Sequence, residues 1–169
     1  YAEIEQTFAI VTETSMGDWV RIGPSGHRAY LAIPQGDSGP GVLVLHAWWG
    51  LTQVFTDVCD RLARNGYVAL APGLYADGAT TDSIAEAEQL VSRNERVPEA
   101  TEAVVLAAVD HLLALPAATG ARIGVIGFSM GAYWALDLSR MRPDVVSAVV
   151  AVYGTCDGDF GAARAAYLG

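Results

Sequence analysis

Apolar and polar residues alternate through the first forty positions, where turn residues interrupt them. Residues 19–22 and 29–33 alternate on either side of the turn sequence GPSG at 23–26. A period of two around such a turn predicts an antiparallel β-hairpin at one edge of a sheet. The glycine- and proline-rich stretch 34–41 then predicts a loop.

From Val42 onward the apolar residues form short continuous runs separated by stretches of helical spacing. Such runs are typical of strands buried on both faces of a parallel sheet, and they occupy residues 42–45, 67–71, 122–126 and 145–153. The helical stretches between them are 54–63, the residues from Ser83, those after Pro98, and 130–141. Strands that alternate with helices predict one α/β domain over residues 1–169, with a mostly parallel sheet covered by helices on both faces.

Two helix ends have sequence signals of their own. Gly66 follows the first helical stretch and predicts its C-terminal stop. Ser83, with Glu86 three residues later, predicts a capping box at the start of the second helix.

The composition is that of an acidic, well-buried domain. Of the 169 residues, 52% are hydrophobic and 17% are charged, and the formal net charge is −9. This charge argues against nucleic-acid binding, which relies on clustered cations. The longest apolar runs are about half the length of a transmembrane helix, and no signal-peptide pattern opens the chain. We therefore expect a cytoplasmic protein that binds neither nucleic acid nor membranes.

Cysteine and histidine residues are few and scattered. Cys59 and Cys156 form no CxxC pair, and Cys59 falls on the apolar face of a predicted helix, so free thiols are favoured over a disulfide. His27, His46 and His111 have no metal-ligand spacing. The sequence thus predicts no metal and no cofactor, and it indicates no particular oligomeric state.

One serine lies at a predicted turn between a strand and a helix. The sequence GFSMG at 127–131 has the pattern G-x-S-x-G in this context, which is typical of a nucleophile elbow. So sharp a turn exposes the hydroxyl of Ser129 above the sheet. The backbone N–H of Met130 lies at a predicted helix N-terminus, where it can donate to a developing oxyanion. We predict that Ser129 is a nucleophile; the alternative is an incidental serine on a tight turn.

A second candidate group follows the first buried strand. The loop HAWWGL at 46–51 places two aromatic residues at the carboxyl edge of the predicted sheet, where ligands bind in open α/β folds. In the fold that carries such a serine elbow, the loop after an earlier strand of the chain also supplies a second oxyanion donor. His46 ends the strand, and this position favours a structural role over that of a catalytic base.

Together these segments resemble the dienelactone hydrolases of the α/β-hydrolase fold. The resemblance is carried by LHAWWGL at 45–51, CDRLARNGYVALAPGLY at 59–75, RIGVIGFSMGA at 122–132 and AVVAVYG at 148–154. It implies a hydrolase of small carboxylic esters or lactones. Ser129 is then the nucleophile, and the backbone N–H groups of Met130 and Trp48 form the oxyanion hole.

Three positions depart from the family pattern. The archetype has a cysteine nucleophile where this chain has Ser129, and serine depends more fully on an adjacent base. The archetype has a glutamate at the position of Ala47, and relatives usually have an aspartate at that of Gly73. These departures bear on the substrate rather than on the reaction class.

No histidine follows Ser129, although this fold places the acid and the histidine of its triad after the nucleophile. Among the later acids, Asp137 and Asp144 fit solvated charges, and Asp157 and Asp159 fit loop residues better than acids that orient a base. Residues 165–169 resemble the start of a further strand. We therefore expect that the sequence is part of a longer protein, that its C-terminal strands, acid and histidine lie beyond it, and that residues 1–169 alone are nearly inactive.

Other interpretations stay open at this point. The same elbow serves carboxylesterases, thioesterases and acyltransferases, and the missing histidine also fits an inactive binding module. Arg93 and Arg96 fit a solvated helix end better than a contact to a substrate carboxylate. Four aromatic residues fit either the lining of an acyl pocket or the hydrophobic core: Trp48, Trp49, Tyr75 and Tyr133.

Overall fold

A computed structural model of the protein describes residues 15–154, which form a six-stranded sheet with helices. The strands are β1 (Gly17–Ile22), β2 (His27–Ala32), β3 (Gly39–Leu45), β4 (Val68–Pro72), β5 (Ala118–Phe128) and β6 (Val146–Val152). Their order across the sheet is β1-β2-β4-β3-β5-β6. β1 and β2 form the predicted antiparallel hairpin, and β2 also pairs antiparallel with β4. The remaining pairs are parallel, so the predicted mostly parallel sheet is confirmed.

Helices cover both faces of this sheet, as predicted. They are α1 (Gln53–Arg64), α2 (Ile84–Glu95), α3 (Pro98–Ala114) and α4 (Met130–Met141), with a short 3₁₀ turn at Ala76–Gly78. Phe55, Cys59 and Ala63 of α1 pack on one face, against β2, β3 and β4. Residues of α3 and α4 pack on the other face, against the large side chains Leu43, Leu45 and Leu70. The result is a three-layer α/β domain with the sheet in its centre.

The end of α1 shows why a glycine is needed there. Gly66 has a φ of 87°, in the left-handed region that glycine adopts without a steric penalty. Its N–H donates to the carbonyl of Ala63, and the N–H of Tyr67 donates to that of Leu62. This pair of hydrogen bonds is the Schellman motif, so the predicted stop is confirmed.

Three predictions of local structure were wrong in detail. Residues 39–41 belong to β3 rather than to a loop, and β5 begins at Ala118 rather than at Arg122, because the two extensions pair with each other. Ser83 is the N-cap of α2, but its side chain makes no capping hydrogen bond. The hydroxyl of Thr81 donates to the carboxylate of Glu86 and accepts from the backbone N–H of Ser83. These two hydrogen bonds take the place of the capping box.

Several predicted features lie outside the described residues: Cys156, Asp157, Asp159 and segment 165–169. Within residues 15–154, no helix is long and apolar enough to span a membrane. In the same part of the chain, no cluster of three or more His, Cys, Asp or Glu side chains is arranged to hold a metal ion.

Candidate active site

The two candidate segments meet at the carboxyl edge of the parallel strands. Leu45, the last residue of β3, pairs with Gly127 near the end of β5. The loop that follows β3 therefore starts beside the turn that follows β5. This is the edge at which open α/β sheets bind their ligands.

Ser129 occupies a strained turn between β5 and α4. Its φ of 51° and ψ of −114° are unusual for a residue with a side chain. The glycines two positions before and after Ser129 cannot be replaced by a residue with a side chain. A Cβ on Gly127 would lie 2.1 Å from the carbonyl oxygen of Gly131, and one on Gly131 would lie 2.2 Å from that of Leu45. Because both contacts are to backbone, neither can move aside easily, and the spacing of G-x-S-x-G follows from packing.

The backbone N–H of Ser129 is already used. It donates to the carbonyl of Val152 at the end of β6, at 3.0 Å, while the carbonyl of Ser129 accepts from the N–H of Ala132 at 2.9 Å. The amide of the serine therefore cannot serve an oxyanion as well. The next N–H along the chain, that of Met130, begins α4 and lies at the positive end of the helix dipole.

His46 is completely buried at the end of β3, and both of its ring nitrogens have partners. Nε2 accepts the backbone N–H of Leu74 at 2.9 Å, so the ring hydrogen is on Nδ1. Nδ1 then donates to the carbonyl of Ala47 at 2.6 Å. Burial lowers the pKa of His46 to about 4, which keeps the ring neutral. The predicted structural role of His46 is confirmed.

The peptide group between Ala47 and Trp48 is held by this histidine. The carbonyl of Ala47 accepts from His46 and also from the N–H of Gly50 at 3.2 Å. Because a trans peptide is planar, the N–H of Trp48 is directed away from that carbonyl. The hydrogen bonds of His46 and Gly50 thus fix the direction of the second N–H predicted for the oxyanion hole.

The other two histidines lie far from Ser129. His27 begins β2, which is separated from β5 by β4 and β3, a distance of about 14 Å at the usual strand spacing. His111 lies near the end of α3, which leads to the start of β5 at the opposite edge of the sheet. Among the described residues, no histidine is placed to accept the proton of Ser129.

Two acids that follow Ser129 in the described part are engaged elsewhere, and so is a thiol. Asp137 pairs with Arg140 at 2.8 Å and Asp144 with Arg142 at 3.2 Å, which lowers the pKa of Asp144. Cys59 is buried in α1, and burial raises the pKa of its thiol to about 12, so it stays protonated and unreactive. Neither acid is placed as a triad member, and Cys59 does not compete with Ser129 as a nucleophile.

Aromatic side chains surround this edge of the sheet. The rings of Trp48 and Trp49 meet edge to face at 5.1 Å, and Phe128 contacts Phe55 at 5.4 Å and Tyr153 at 6.2 Å. The two tryptophans are partly exposed and Tyr133 is 44% exposed, whereas Tyr75 is buried. Sequence reasoning overlooked Phe55 and Phe128, although Phe128 lies inside the elbow motif. Arg93 and Arg96 are at least partly exposed, as expected for a solvated helix end.

Comparison with known proteins gives a consistent result. Residues 27–165 match the dienelactone hydrolase family. Over 145 residues the chain is 34% identical to protein usf of Aquifex pyrophilus, a match that covers 82% of this chain and 62% of the relative. It is 37% identical over 136 residues to a protein of Methylorubrum extorquens named "Putative carboxymethylenebutenolidase", with 78% of this chain and 46% of the relative covered.

A solved structure shows the same fold. It is a dienelactone hydrolase-like promiscuous phosphotriesterase from metagenomic libraries, 27% identical, with a TM-score of 0.72. The match covers 82% of this chain and 59% of that one. The chain thus spans about half to two thirds of the length of the relatives that it matches.

Proposed function

The chain belongs to the dienelactone hydrolase family, and on that premise we propose that it carries the nucleophile and the oxyanion hole of a serine hydrolase acting on carboxylic esters or lactones. The observation that carries this proposal is the strained backbone of Ser129 between two glycines that admit no side chain. Strain of this kind persists at functional sites, where the surrounding packing enforces it.

In the proposed reaction, the hydroxyl oxygen of Ser129 attacks the carbonyl carbon of the substrate while a base takes its proton. The carbonyl oxygen becomes an oxyanion, which accepts hydrogen bonds from the backbone N–H groups of Met130 and Trp48. Collapse of this intermediate expels the alcohol and leaves an acyl-serine, which water then hydrolyses. For a lactone, the alcohol stays attached to the acyl group.

The base and its acid are proposed to lie in the remainder of the full-length protein. None of the three histidines of this chain can take the proton of Ser129, because His46 uses both nitrogens and His27 and His111 are remote. An acid and a histidine that follow the nucleophile in chain order would fit the pattern of this fold. The enzyme is also proposed to be cytoplasmic, and a net charge of −9 is ordinary for such enzymes.

The substrate is proposed to have an apolar or aromatic acyl group of small size. Phe128 directly precedes Ser129, and its ring and those of Trp48 and Trp49 supply apolar surface at the same edge of the sheet. The name carboxymethylenebutenolidase, carried by a relative, supports a lactone as one member of the class. Ala47 and Gly73 replace carboxylates of the family pattern, and the archetypal dienelactone is therefore not proposed as the substrate.

A fluorophosphonate probe tests the proposal on the full-length protein. We expect a label on Ser129, located by mass spectrometry of the peptide, and loss of the label in Ser129→Ala. Ser147→Ala is the matched control, because the hydroxyl of Ser147 donates to the carbonyl of Ile123 within the sheet. A wild-type protein that takes up no label in its folded state would refute the serine hydrolase.

A further inference from the structure

We infer that Tyr75 is a positioning residue for the oxyanion hole, because its hydroxyl joins the loop after β3 to the first residue of α4. The inference rests on the proposed function and names a residue that supports it without touching substrate. Tyr75 follows β4 and is 2% exposed, so it cannot be part of an open acyl pocket.

The hydroxyl of Tyr75 has two partners. It donates to the carbonyl of Trp48 at 2.8 Å, and it lies 3.6 Å from the sulfur of Met130. A carbonyl is a stronger acceptor than a thioether, so the hydroxyl hydrogen belongs to the shorter contact. Burial raises the pKa of Tyr75, so the phenol keeps its proton and remains a hydrogen-bond donor at neutral pH.

Trp48 is consequently held on both sides. His46 fixes the peptide group before it, through the carbonyl of Ala47. Tyr75 fixes the peptide group after it, through the carbonyl of Trp48 itself. With both peptide planes fixed, the two backbone dihedrals of Trp48 have little freedom. Its N–H then keeps one direction before the substrate arrives, which is the condition for effective oxyanion stabilisation.

The same hydroxyl also sets the position of the loop relative to the elbow. The two N–H groups of the proposed hole come from Trp48 and Met130, and Tyr75 contacts both of these residues. The ring of Tyr75 packs at 5.4 Å from that of His46, so the two donors that hold the loop support each other. Loss of the hydroxyl would remove the hydrogen bond to the loop and the contact to Met130, so that the pairing of β3 with β5 and the packing of Gly131 would have to set the spacing of the hole without them.

Tyr75→Phe tests this role in the full-length protein, because it removes one oxygen and keeps the ring. We expect kcat for a small ester, per active site titrated with a fluorophosphonate, to fall about 10- to 100-fold, since misplacing one donor weakens binding of the transition state. The KM should change by less than about threefold, because the hole acts on the oxyanion and not on the bound ester.

Tyr30→Phe is the matched control. Tyr30 is also a buried tyrosine, and its hydroxyl donates to Asp60 at 2.8 Å, in the layer formed by β2 and α1. Tyr75→Phe loses the hydrogen bond to Trp48, whereas Tyr30→Phe loses its bond to Asp60 and also those to Ser15 and to the backbone N–H of Gly17. Both variants should therefore melt at a lower temperature than wild type, and Tyr30→Phe by at least as much. Only Tyr75→Phe should lower kcat per titrated site.

The ratio of kcat/KM for an ester to that for its thionoester gives a second measurement that does not depend on the folded fraction. Sulfur accepts hydrogen bonds poorly, so the hole favours the oxygen ester. We expect this ratio to fall at least about fivefold in Tyr75→Phe and to stay constant in Tyr30→Phe. An unchanged ratio and kcat in Tyr75→Phe, with Ser129 still labelled, would overturn the role of Tyr75 alone. Absence of label on Ser129 in wild type would instead refute the proposed hydrolase, and this inference with it.

Discussion

The loop after β3 and the elbow after β5 start side by side, at Leu45 and Gly127, but different contacts hold them in place. The loop is held by hydrogen bonds, from His46 to the carbonyl of Ala47 and from Tyr75 to the carbonyl of Trp48. The elbow is held by backbone packed on backbone, with no space for a Cβ at either flanking glycine. Hydrogen bonds respond to protonation and to single atoms, whereas close packing responds to added volume. The loop should therefore be sensitive to pH and to the loss of single atoms, and the elbow to added side-chain volume.

Added volume should break the elbow with the largest effect of the changes considered. In Gly131→Ala the new methyl group meets the carbonyls of Leu45 and His46, so β3 and α4 must separate. We expect a loss of about 3 kcal/mol or more in the free energy of unfolding, measured by urea denaturation, because the methyl group meets backbone on a packed face. Gly36→Ala is the control, because nothing lies within 4 Å of its added methyl group. Equal stability of the two variants would contradict the packing explanation.

A change of pH should act on the loop through His46. Burial lowers the pKa of His46 from 6.5 to about 4, so between these values the unfolded chain binds a proton more readily than the folded protein. The contribution of His46 is complete above pH 6.5 and decreases by about 3 kcal/mol as the pH falls to 4.

His46→Gln, which removes the imidazole, isolates that contribution. The free energy of unfolding of the variant should depend less on pH between 6.5 and 4 than that of wild type, by about 3 kcal/mol. Urea titrations at several pH values measure the difference, with His27→Gln as the matched control for loss of a partly exposed imidazole. Parallel pH curves for wild type and His46→Gln would show that the ring is not held neutral by the fold.

Relief of backbone strain should distinguish two variants that are both inactive. At the φ of 51° and ψ of −114° of Ser129, glycine is strained less than alanine. We expect Ser129→Gly to be more stable than Ser129→Ala by about 1 kcal/mol, measured by thermal unfolding at one pH. The reverse order would mean that the turn relaxes once the serine is removed.

Met130 supplies its backbone N–H to the proposed hole, and its sulfur is the weaker of the two partners of the Tyr75 hydroxyl, so its side chain should be replaceable. Met130→Leu keeps the N–H at the start of α4 and conserves most of the volume. We expect kcat in the full-length protein to stay within about threefold of wild type. A much larger loss of kcat would show that the sulfur of Met130, through its contact with Tyr75, is needed as well as the backbone N–H.

The sequence predicted those parts of the fold that depend on short-range patterns. Buried strands such as β4 are apolar runs, and the end of α1 needs a glycine at Gly66, so both were evident. The extensions of β3 and β5 were not, because Gly39 and Pro40 pair with Ala118 and Thr119 through their backbones. Such pairing is independent of side-chain character and leaves no periodic signal.

The candidate site likewise has one part that the sequence predicted and one part that it did not. The elbow was predictable because its residues occupy five consecutive positions between a strand and a helix and form the G-x-S-x-G pattern, although the carbonyl that excludes a Cβ from Gly131 belongs to Leu45. The supports of the loop were not, since Leu74 and Tyr75 reach His46 and Trp48 across more than 25 positions. A buried tyrosine that bonds to a backbone carbonyl looks like any core aromatic in a sequence.

The contact between Gly131 and the carbonyl of Leu45 also bears on the order of folding. The two residues are about 85 positions apart along the chain, and the parallel pairing of β3 with β5 must form before they meet. Contacts of such long range form slowly, because loop closure precedes the gain from packing. We therefore expect the turn of Ser129, the proposed nucleophile, to be among the last features to form as the chain folds, so that a partly folded molecule would not yet hold this serine in its strained conformation.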